Sequence, residues 1–456
     1  MGVYKQLFIV IISATNYLPM GFGTCAFYFL PRETARQRQV VLNIVLVMTT
    51  MGLFGSFITL AFPQIYSTLL GAPSLTQYAG YVALAIPLAV LCQGFEAILM
   101  AHQEVEITAF FFVLIQATRT ISLFIAVVQW GTPVAILCSF LIQSAITVLL
   151  MFWYLGSRFP GFWKQFDGKL LREQIIYATP LGLSWLLLVL QVDMHTYFVS
   201  NFLGAATLAL YTQGCFQLPI MGLVTESSTA VVLPRMSEMR KNGETDQILA
   251  LTARVMRKLS IPAFAVFFYF ITVTEPFIVF LFTPKFRESA PIFFVNLFLI
   301  LTTILPIDPL TRVYPELRFF FVKFRVLLVA GMAALLWWTT PRLGMLGAIT
   351  VVVLVGFLDK LFVAWKFTRI LRIGRTNLFQ FYDTGRALLA ASVAAICSLA
   401  IRYQLQNVKL FYLLALTSIT FAIVYVAMLV LSGFFHEEEK AIIRRYLPAP
   451  LKPVFR

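Results

Sequence analysis

Charge is scarce in this chain. Asp, Glu, Lys and Arg together make up 12% of its 456 residues, roughly half the usual share. A soluble fold of this size needs a mostly polar skin, so a soluble globular protein is excluded. Cysteine is also sparse. Cys25, Cys92, Cys138, Cys215 and Cys397 all sit inside apolar stretches without Cys-x-x-Cys spacing, which argues against a disulfide framework, a zinc site or a redox centre. No Gly-x-x-x-x-Gly-Lys-[Ser/Thr] loop exists, so the chain does not hydrolyse ATP by that route. His-Glu-x-x-His is absent too, and no cofactor is expected. The first apolar run is too long for the core of a cleavable signal peptide. Every connection between apolar runs is too short for a folded soluble domain.

Apolar residues, in contrast, make up 60% of the chain, with 45 Phe, and the mean hydropathy is +0.86. The apolar runs extend from end to end and are continuous, whereas a β-barrel needs short alternating strands. The expected fold is therefore all-α and polytopic. Segments of spanning length fall near 6–29, 40–61, 78–100, 108–130, 133–155, 175–200, 206–233, 259–282, 291–310, 320–339, 343–367, 386–402 and 410–432, about 13 helices at the ~20 residues a bilayer requires.

The formal charge of +15 has a membrane explanation that needs no nucleic acid: Lys and Arg gather in cytoplasmic connections. Summed over alternating connections, 27 Lys and Arg fall on one side and 5 on the other, leaving only Lys5, Arg119 and Lys360 in or beside spans. This split places the C-terminus, with Lys440, Arg444 and Arg445, in the cytoplasm and, for an odd number of spans, the N-terminus outside. The connection at 101–107 sits on the basic side yet holds Glu104 and Glu106 and no Lys or Arg. After Gly243, residues 244–258 fit either a short interfacial helix, with Arg254, Arg257 and Lys258 reaching headgroups, or an extension of the next span.

Two halves of the chain echo each other. Phe110-Phe111-Phe112-Val113 returns as Phe319-Phe320-Phe321-Val322, and Thr132-Pro133 as Thr340-Pro341. Val3-Tyr4 matches Leu210-Tyr211, Leu30-Pro31-Arg32 matches Leu233-Pro234-Arg235, and Pro63 matches Pro276. Five matches in order at a nearly constant offset are unlikely by chance. The period covers six spans, an even number, so the halves share one orientation and imply two parallel bundles related by an axis along the membrane normal. The expected division is an N-lobe of five helices at 1–160, a C-lobe of six at 161–375, and two extra helices with a cytoplasmic tail at 376–456. By this arithmetic the N-lobe lacks the counterpart of span 175–200, its first helix.

Six spans, six more in parallel repeat and then two extra resemble the multidrug/oligosaccharidyl-lipid/polysaccharide exporter superfamily. Within it the chain is similar to the polysaccharide branch, bacterial flippases for lipid-linked oligosaccharides such as O-antigen and exopolysaccharide units. The stretch carrying this resemblance runs from Tyr177 and Pro180 through Asp193 to Gly204 and Tyr211. It continues to Leu233-Pro234-Arg235-Met236-Ser237 and the polar Asn242-Gly243-Glu244. Gly2-Val3-Tyr4 resembles the stretch just after the first helix in that family, a helix that lines the central cavity of such flippases.

The resemblance implies a non-enzymatic transporter in the bacterial inner membrane. It would move a polyprenyl-diphosphate-linked oligosaccharide by alternating access, coupled to H⁺ or Na⁺, as a monomer, with polysaccharide assembly proteins as further partners. A drug/cation antiporter of the same superfamily and a membrane glycan polymerase or ligase are the alternatives.

Ionisable residues inside spans cost about 2.5–3.5 kcal/mol each on insertion scales and tend to face a cavity or a partner. Arg119, mid-span, offers five donors to a diphosphate or pairs with a carboxylate across the lobe. Asp193 and Glu226 are candidates to carry a coupling ion, or else hydrogen-bond between helices. His195 is read as a packing residue. Gln213 and Gln217, four apart on one expected helical face, and Asn16 and Tyr17 in the first span are candidate sugar contacts or packing groups. Lys360 is a substrate candidate or a structural, snorkelling side chain. It points about 100° from its neighbour Asp359, so the two do not pair. Glu96, Glu275 and Asp308 fall near span ends and are read as interfacial. Pro180, Pro219, Pro262 and Pro306 are positioned to bend helices.

Overall fold

A computed structural model describes residues 2–435 except 103, 165, 315–316, 372–381 and 406–407. Lys440, Arg444 and Arg445 of the expected cytoplasmic tail lie outside the described residues, and so does the side chain of Asp308. Among the described residues every regular element is a helix. In chain order the α-helices are α1 (Gly2–Tyr17), α2 (Cys25–Arg32), α3 (Gln37–Ala61), α4 (Gln64–Leu69), α5 (Ala79–Ala101), α6 (Val105–Gln129), α7 (Pro133–Arg158) and α8 (Gly168–Gly214). After these come α9 (Pro219–Lys241), α10 (Thr245–Thr272), α11 (Thr274–Phe282), α12 (Ala290–Thr302), α13 (Ile307–Val313), α14 (Arg318–Ile370), α15 (Tyr382–Gln404) and α16 (Leu410–Leu431).

Among the described residues nine helical stretches are long and apolar enough to cross a membrane, and the pair Gly2–Tyr17 and Phe22–Arg32, bent by 46°, makes a tenth. The expectation of 13 fails in two places, each for a backbone reason, and in a third the count falls only because two spans run together. The expected span 206–233 is broken between Gly214 and Pro219. Pro219 offers no N–H and drives Leu218 extended, with ψ 111°. The expected span 291–310 stops at Thr302 and restarts beyond Pro306. The expected spans 320–339 and 343–367 form one run of 53 residues, interrupted at Gly344, whose φ of 63° suits a residue without Cβ. At 1.5 Å per residue that run is about 80 Å long, more than twice a bilayer core, so its two arms are separate crossings.

The outward surfaces are apolar: Phe57 is 65% exposed, Leu149 69% and Leu431 79%. Such positions face lipid without cost, whereas an unpaired polar group would not. Many helical hydroxyls are accordingly satisfied within their own helix. Thr49 Oγ1 donates to the Val45 carbonyl, Thr59 Oγ1 to Gly55 and Thr350 Oγ1 to Leu346.

The chain forms two compact units, Met1–Ala209 and Leu210–Arg456. In the first, α3 and α5 make the most extensive packing. Small residues permit it: a Cβ on Gly52 would lie 2.6 Å from Pro87 Cα, and Gly94 receives Met48. The body of α8 belongs to this unit, although the repeat placed its span at the head of a second lobe beginning at 161. The reason is polar matching at both of its ends. Gln174 accepts from Asn43 Nδ2 at 2.9 Å, and Tyr177 stacks on Tyr28 with ring centroids 4.4 Å apart. At the far end Ser200 and Asn201 donate to the carbonyls of Leu70 and Thr68.

In the second unit, α15 packs on α10 and α16 through an alanine face of Ala387, Ala390, Ala391, Ala394 and Ala395. Tyr425 OH donates to the Ile261 carbonyl at 3.0 Å, and Tyr269 OH to Leu414 at 3.1 Å. Residues 245–258 are the first part of the continuous α10, so the extension holds and the separate interfacial helix does not. Arg257, expected at the headgroups, is buried instead. Its Nη1 donates to the Phe434 carbonyl at 3.0 Å, and its guanidinium lies over the Phe434 ring.

Candidate functional site

Four helices of the first unit enclose a cavity of about 370 Å³. Each contributes residues at helical spacing, which sets side chains on one face. From α1 come Phe8, Ile12 and Asn16; from α5, Cys92, Gln93 and Glu96; from α6, Phe112, Gln116 and Arg119; from α7, Phe140, Gln143 and Thr147. A cavity this polar inside a membrane bundle is costly to build without a use.

Arg119 sits near the middle of α6, with its guanidinium carbon 5.8 Å from the Phe140 ring centroid. It interacts through space with half-buried Glu96 across the cavity. Glu96, which the sequence reading placed at a span end, thus shares the cavity with Arg119. Gln143 Nε2 donates to Thr147 Oγ1 at 3.0 Å, while the Thr147 hydroxyl donates back to the Gln143 carbonyl. Gln93, Gln116 and Gln143 also escaped the sequence reading. The signal for them existed: Gln93 with Glu96, Gln116 with Arg119, and Gln143 with Thr147 are i, i+3 or i, i+4 pairs on successive spans.

The other candidates divide. Asn16 lines the cavity, but its neighbour Tyr17 does not. Tyr17 faces α8 instead, grouped with Tyr197 and Asp193, and Ser13 hydrogen-bonds the Tyr197 hydroxyl. Asp193 therefore sits among tyrosine hydroxyls and apart from the Arg119 cavity. His195 is buried, as a packing residue should be.

In the second unit, Lys360 lines a separate cavity of about 140 Å³ with Thr225, Ser228 and Thr229, room for a few waters. Its neighbour Asp359 pairs with Arg325 at 3.7 Å, in keeping with the divergent directions expected of adjacent residues. Glu226 is exposed on α9 and lines neither cavity. Gln213 and Gln217 do not share a helical face, because α8 ends at Gly214 and Gln217 falls in the break before Pro219. That break frees the Phe216 carbonyl, which accepts from Asn296 Nδ2 at 3.2 Å. Among the described residues no cluster of His, Cys, Asp and Glu is fit to hold a metal ion.

The basic-side connection with two Glu is also explained. Arg158, at the end of α7, reaches Glu104 at 3.1 Å, and Tyr154 OH donates to the same carboxylate at 3.2 Å. The connection borrows its positive charge from a neighbour.

The described residues thus form a polytopic, all-helical membrane fold with a cationic, amide-lined cavity in the first unit. The fold is similar to that of the lipid II flippase MurJ in an inward closed conformation, with a TM-score of 0.72 and 16% identity over 94% of this chain and 92% of that one. It is also similar to an inward-facing multidrug resistance MATE family transporter of the MOP superfamily, with a TM-score of 0.62, 14% identity and coverage of 81% and 90%. A third likeness is the Vibrio cholerae MATE transporter VcmN in its bent form, with a TM-score of 0.50, 13% identity and coverage of 83% and 90%. No curated protein sequence matches the chain. Residues 2–291 match the sequence model of the polysaccharide biosynthesis proteins, and the chain belongs to that family.

Proposed function

We propose that this protein flips a polyprenyl-diphosphate-linked oligosaccharide from the inner to the outer face of a bacterial cytoplasmic membrane by alternating access. The observation that carries the reading is Arg119 held open to a polar cavity inside the first bundle. A guanidinium is a planar fork of donors, matched to phosphate oxygens. The amides of Asn16, Gln93, Gln116 and Gln143 suit sugar hydroxyls, and the faces of Phe8, Phe112 and Phe140 suit the apolar faces of sugar rings. The lipid tail stays in the bilayer. The family match and the likeness to a lipid II flippase support this reading.

The cargo is relocated and no glycosidic bond is made. Asp193, grouped with Tyr17 and Tyr197, is the coupling-ion candidate, for a proton or a sodium ion. The C-terminus lies in the cytoplasm, on the side rich in Lys and Arg. The second reading, a drug/cation antiporter, is favoured by Glu96 and opposed by Arg119, which would repel a cation from the same cavity.

The test is export of lipid-linked sugar by Arg119→Ala in cells, with surface expression measured in parallel. Export should be lost at normal expression. Full export would remove Arg119 from the mechanism, and new glycosidic bonds made by the purified wild type would make it an enzyme.

A further inference from the structure

The sparsely charged side of the chain has only five Lys and Arg in its connections and at the span ends beside them: Lys285, Arg287, Arg342, Arg402 and Lys409. Their placement is uneven. Arg342 lies over the Trp338 ring and donates to the Trp338 carbonyl on its own helix. The other four gather at one groove of the second unit, of about 650 Å³, where α11, α15 and α16 meet the connection after α11. Arg287 and Arg402 line this groove and also an adjoining recess of about 470 Å³. Lys285 comes directly after the lining residue Pro284, and Lys409 lies between the lining residues Val408 and Leu410.

The two arginines are held in place. Arg402 Nη1 donates to the Thr272 carbonyl at the end of α10, and Arg287 pairs with Glu275 at 2.5 Å. A guanidinium has five N–H donors, so both retain donors for a ligand. Glu275 and Glu288 are the acidic groups present, which leaves four cations against two anions. Tyr403, 78% exposed, stands at the rim. Below the charges the wall is apolar, formed by Val279 of α11 and by Leu399 and Leu413 of the spanning helices α15 and α16.

We infer that this groove binds the phosphate head of a membrane lipid, with its hydrocarbon chain against the apolar wall. Nearly all the positive charge of one face converges on it, and that charge serves an anion. A soluble anion has no use for a hydrocarbon wall that leads into the bilayer, while a lipid uses both parts. The head is either that of an anionic phospholipid or the diphosphate of a polyprenyl carrier, since the two share the phosphate chemistry the arginines recognise. The inference requires only that these helices sit in a bilayer, so it stands apart from the Arg119 cavity.

Native mass spectrometry of the full chain in neutral detergent tests it, with titration by phosphatidylglycerol, phosphatidylcholine and undecaprenyl diphosphate. The wild type should hold one phosphatidylglycerol or undecaprenyl diphosphate more tightly than phosphatidylcholine, and Arg287→Gln should weaken that adduct about tenfold. Glu275→Gln, which frees Arg287, should shift it the opposite way. Arg402 also anchors a helix end, so Lys409→Gln replaces it as the second exposed variant and should weaken the adduct in the same direction. Preference for undecaprenyl diphosphate identifies the carrier as the occupant; equal binding of the two anionic lipids identifies the phosphate head alone. An adduct unchanged in Arg287→Gln and Lys409→Gln, or displaced by inorganic phosphate as readily as by lipid, overturns the inference.

Discussion

Gln6 and Ser200 lie 194 positions apart in sequence and are joined in space: Gln6 Nε2 donates to Ser200 Oγ at 2.8 Å, and Ser200 Oγ donates onward to the Leu70 carbonyl at 2.8 Å. Gln6 is 1% exposed and Ser200 fully buried. The pair fastens α8 to α1 and to the turn after α4. Gln6→Ala removes the bridge and leaves a gap, so the folded bundle should lose about 1–3 kcal/mol. Ser200→Ala, nearly isosteric, should lose less, near the ~0.6 kcal/mol average for hydrogen bonds in membrane bundles. Thermal unfolding in detergent would show the order; equal midpoints for Gln6→Ala and wild type would refute it.

Gly52 marks a close backbone approach between α3 and α5, since its added Cβ would meet Pro87 Cα at 2.6 Å. Backbone cannot yield as a flexible side chain does. Gly52→Val should destabilise by at least the ~1–3 kcal/mol of an overpacked core, seen as lower folded yield and a lower melting midpoint. A change at Gly156, whose Cβ would meet nothing within 4 Å, provides the control.

Arg119→Lys keeps a positive charge in the cavity and gives up the planar fork. If the ligand is a diphosphate held by two parallel bonds, export should fall about tenfold, between wild type and Arg119→Ala. Concentration dependence of export by membrane vesicles is the measurement. A Lys variant as active as wild type would mean that charge alone suffices.

Glu104 holds Arg158 and Tyr154 at a membrane-end connection where both ionic side chains are partly solvated. Glu104→Gln keeps shape and hydrogen bonding, so its cost should be below about 1 kcal/mol. A loss as large as that of Gln6→Ala would show the cluster to be a structural linchpin.

Spans were legible in the sequence because hydrocarbon demands unbroken apolar helices of fixed length, and α3, α5, α6, α7, α15 and α16 fall close to where hydropathy puts them. Interruptions were less legible. Pro180 and Pro262 lie inside helical stretches, whereas Pro219 and Pro306 stand at breaks. Each proline removes one backbone donor; at Pro219 the freed Phe216 carbonyl finds a donor in Asn296. The direction of a side chain about its helix was legible only relative to its own helix. Asn16 and Tyr17 are adjacent, so they necessarily diverge, but which of them meets Arg119 depends on where α6 and α7 stand. Glu96 was missed for the same reason: hydropathy located it along its span, and only the packing of α5 against α6 turned it toward a cation. The assignment of α8 to the first unit was equally a matter of partners, since a repeat in sequence records ancestry and Gln174, Ser200 and Asn201 bond to what lies beside them.

Cys92 borders the Arg119 cavity, with its thiol directed at the Ser144 carbonyl 3.7 Å away, whereas the chain's other four cysteines lie away from it. The protein therefore carries a native chemical reporter in the wall of that cavity. With those four replaced by serine or alanine, the rate at which a small water-borne maleimide alkylates the remaining sulfur, with and without cargo and from each side of the membrane, would show when that chamber is wet, when cargo shields it, and from which side it fills.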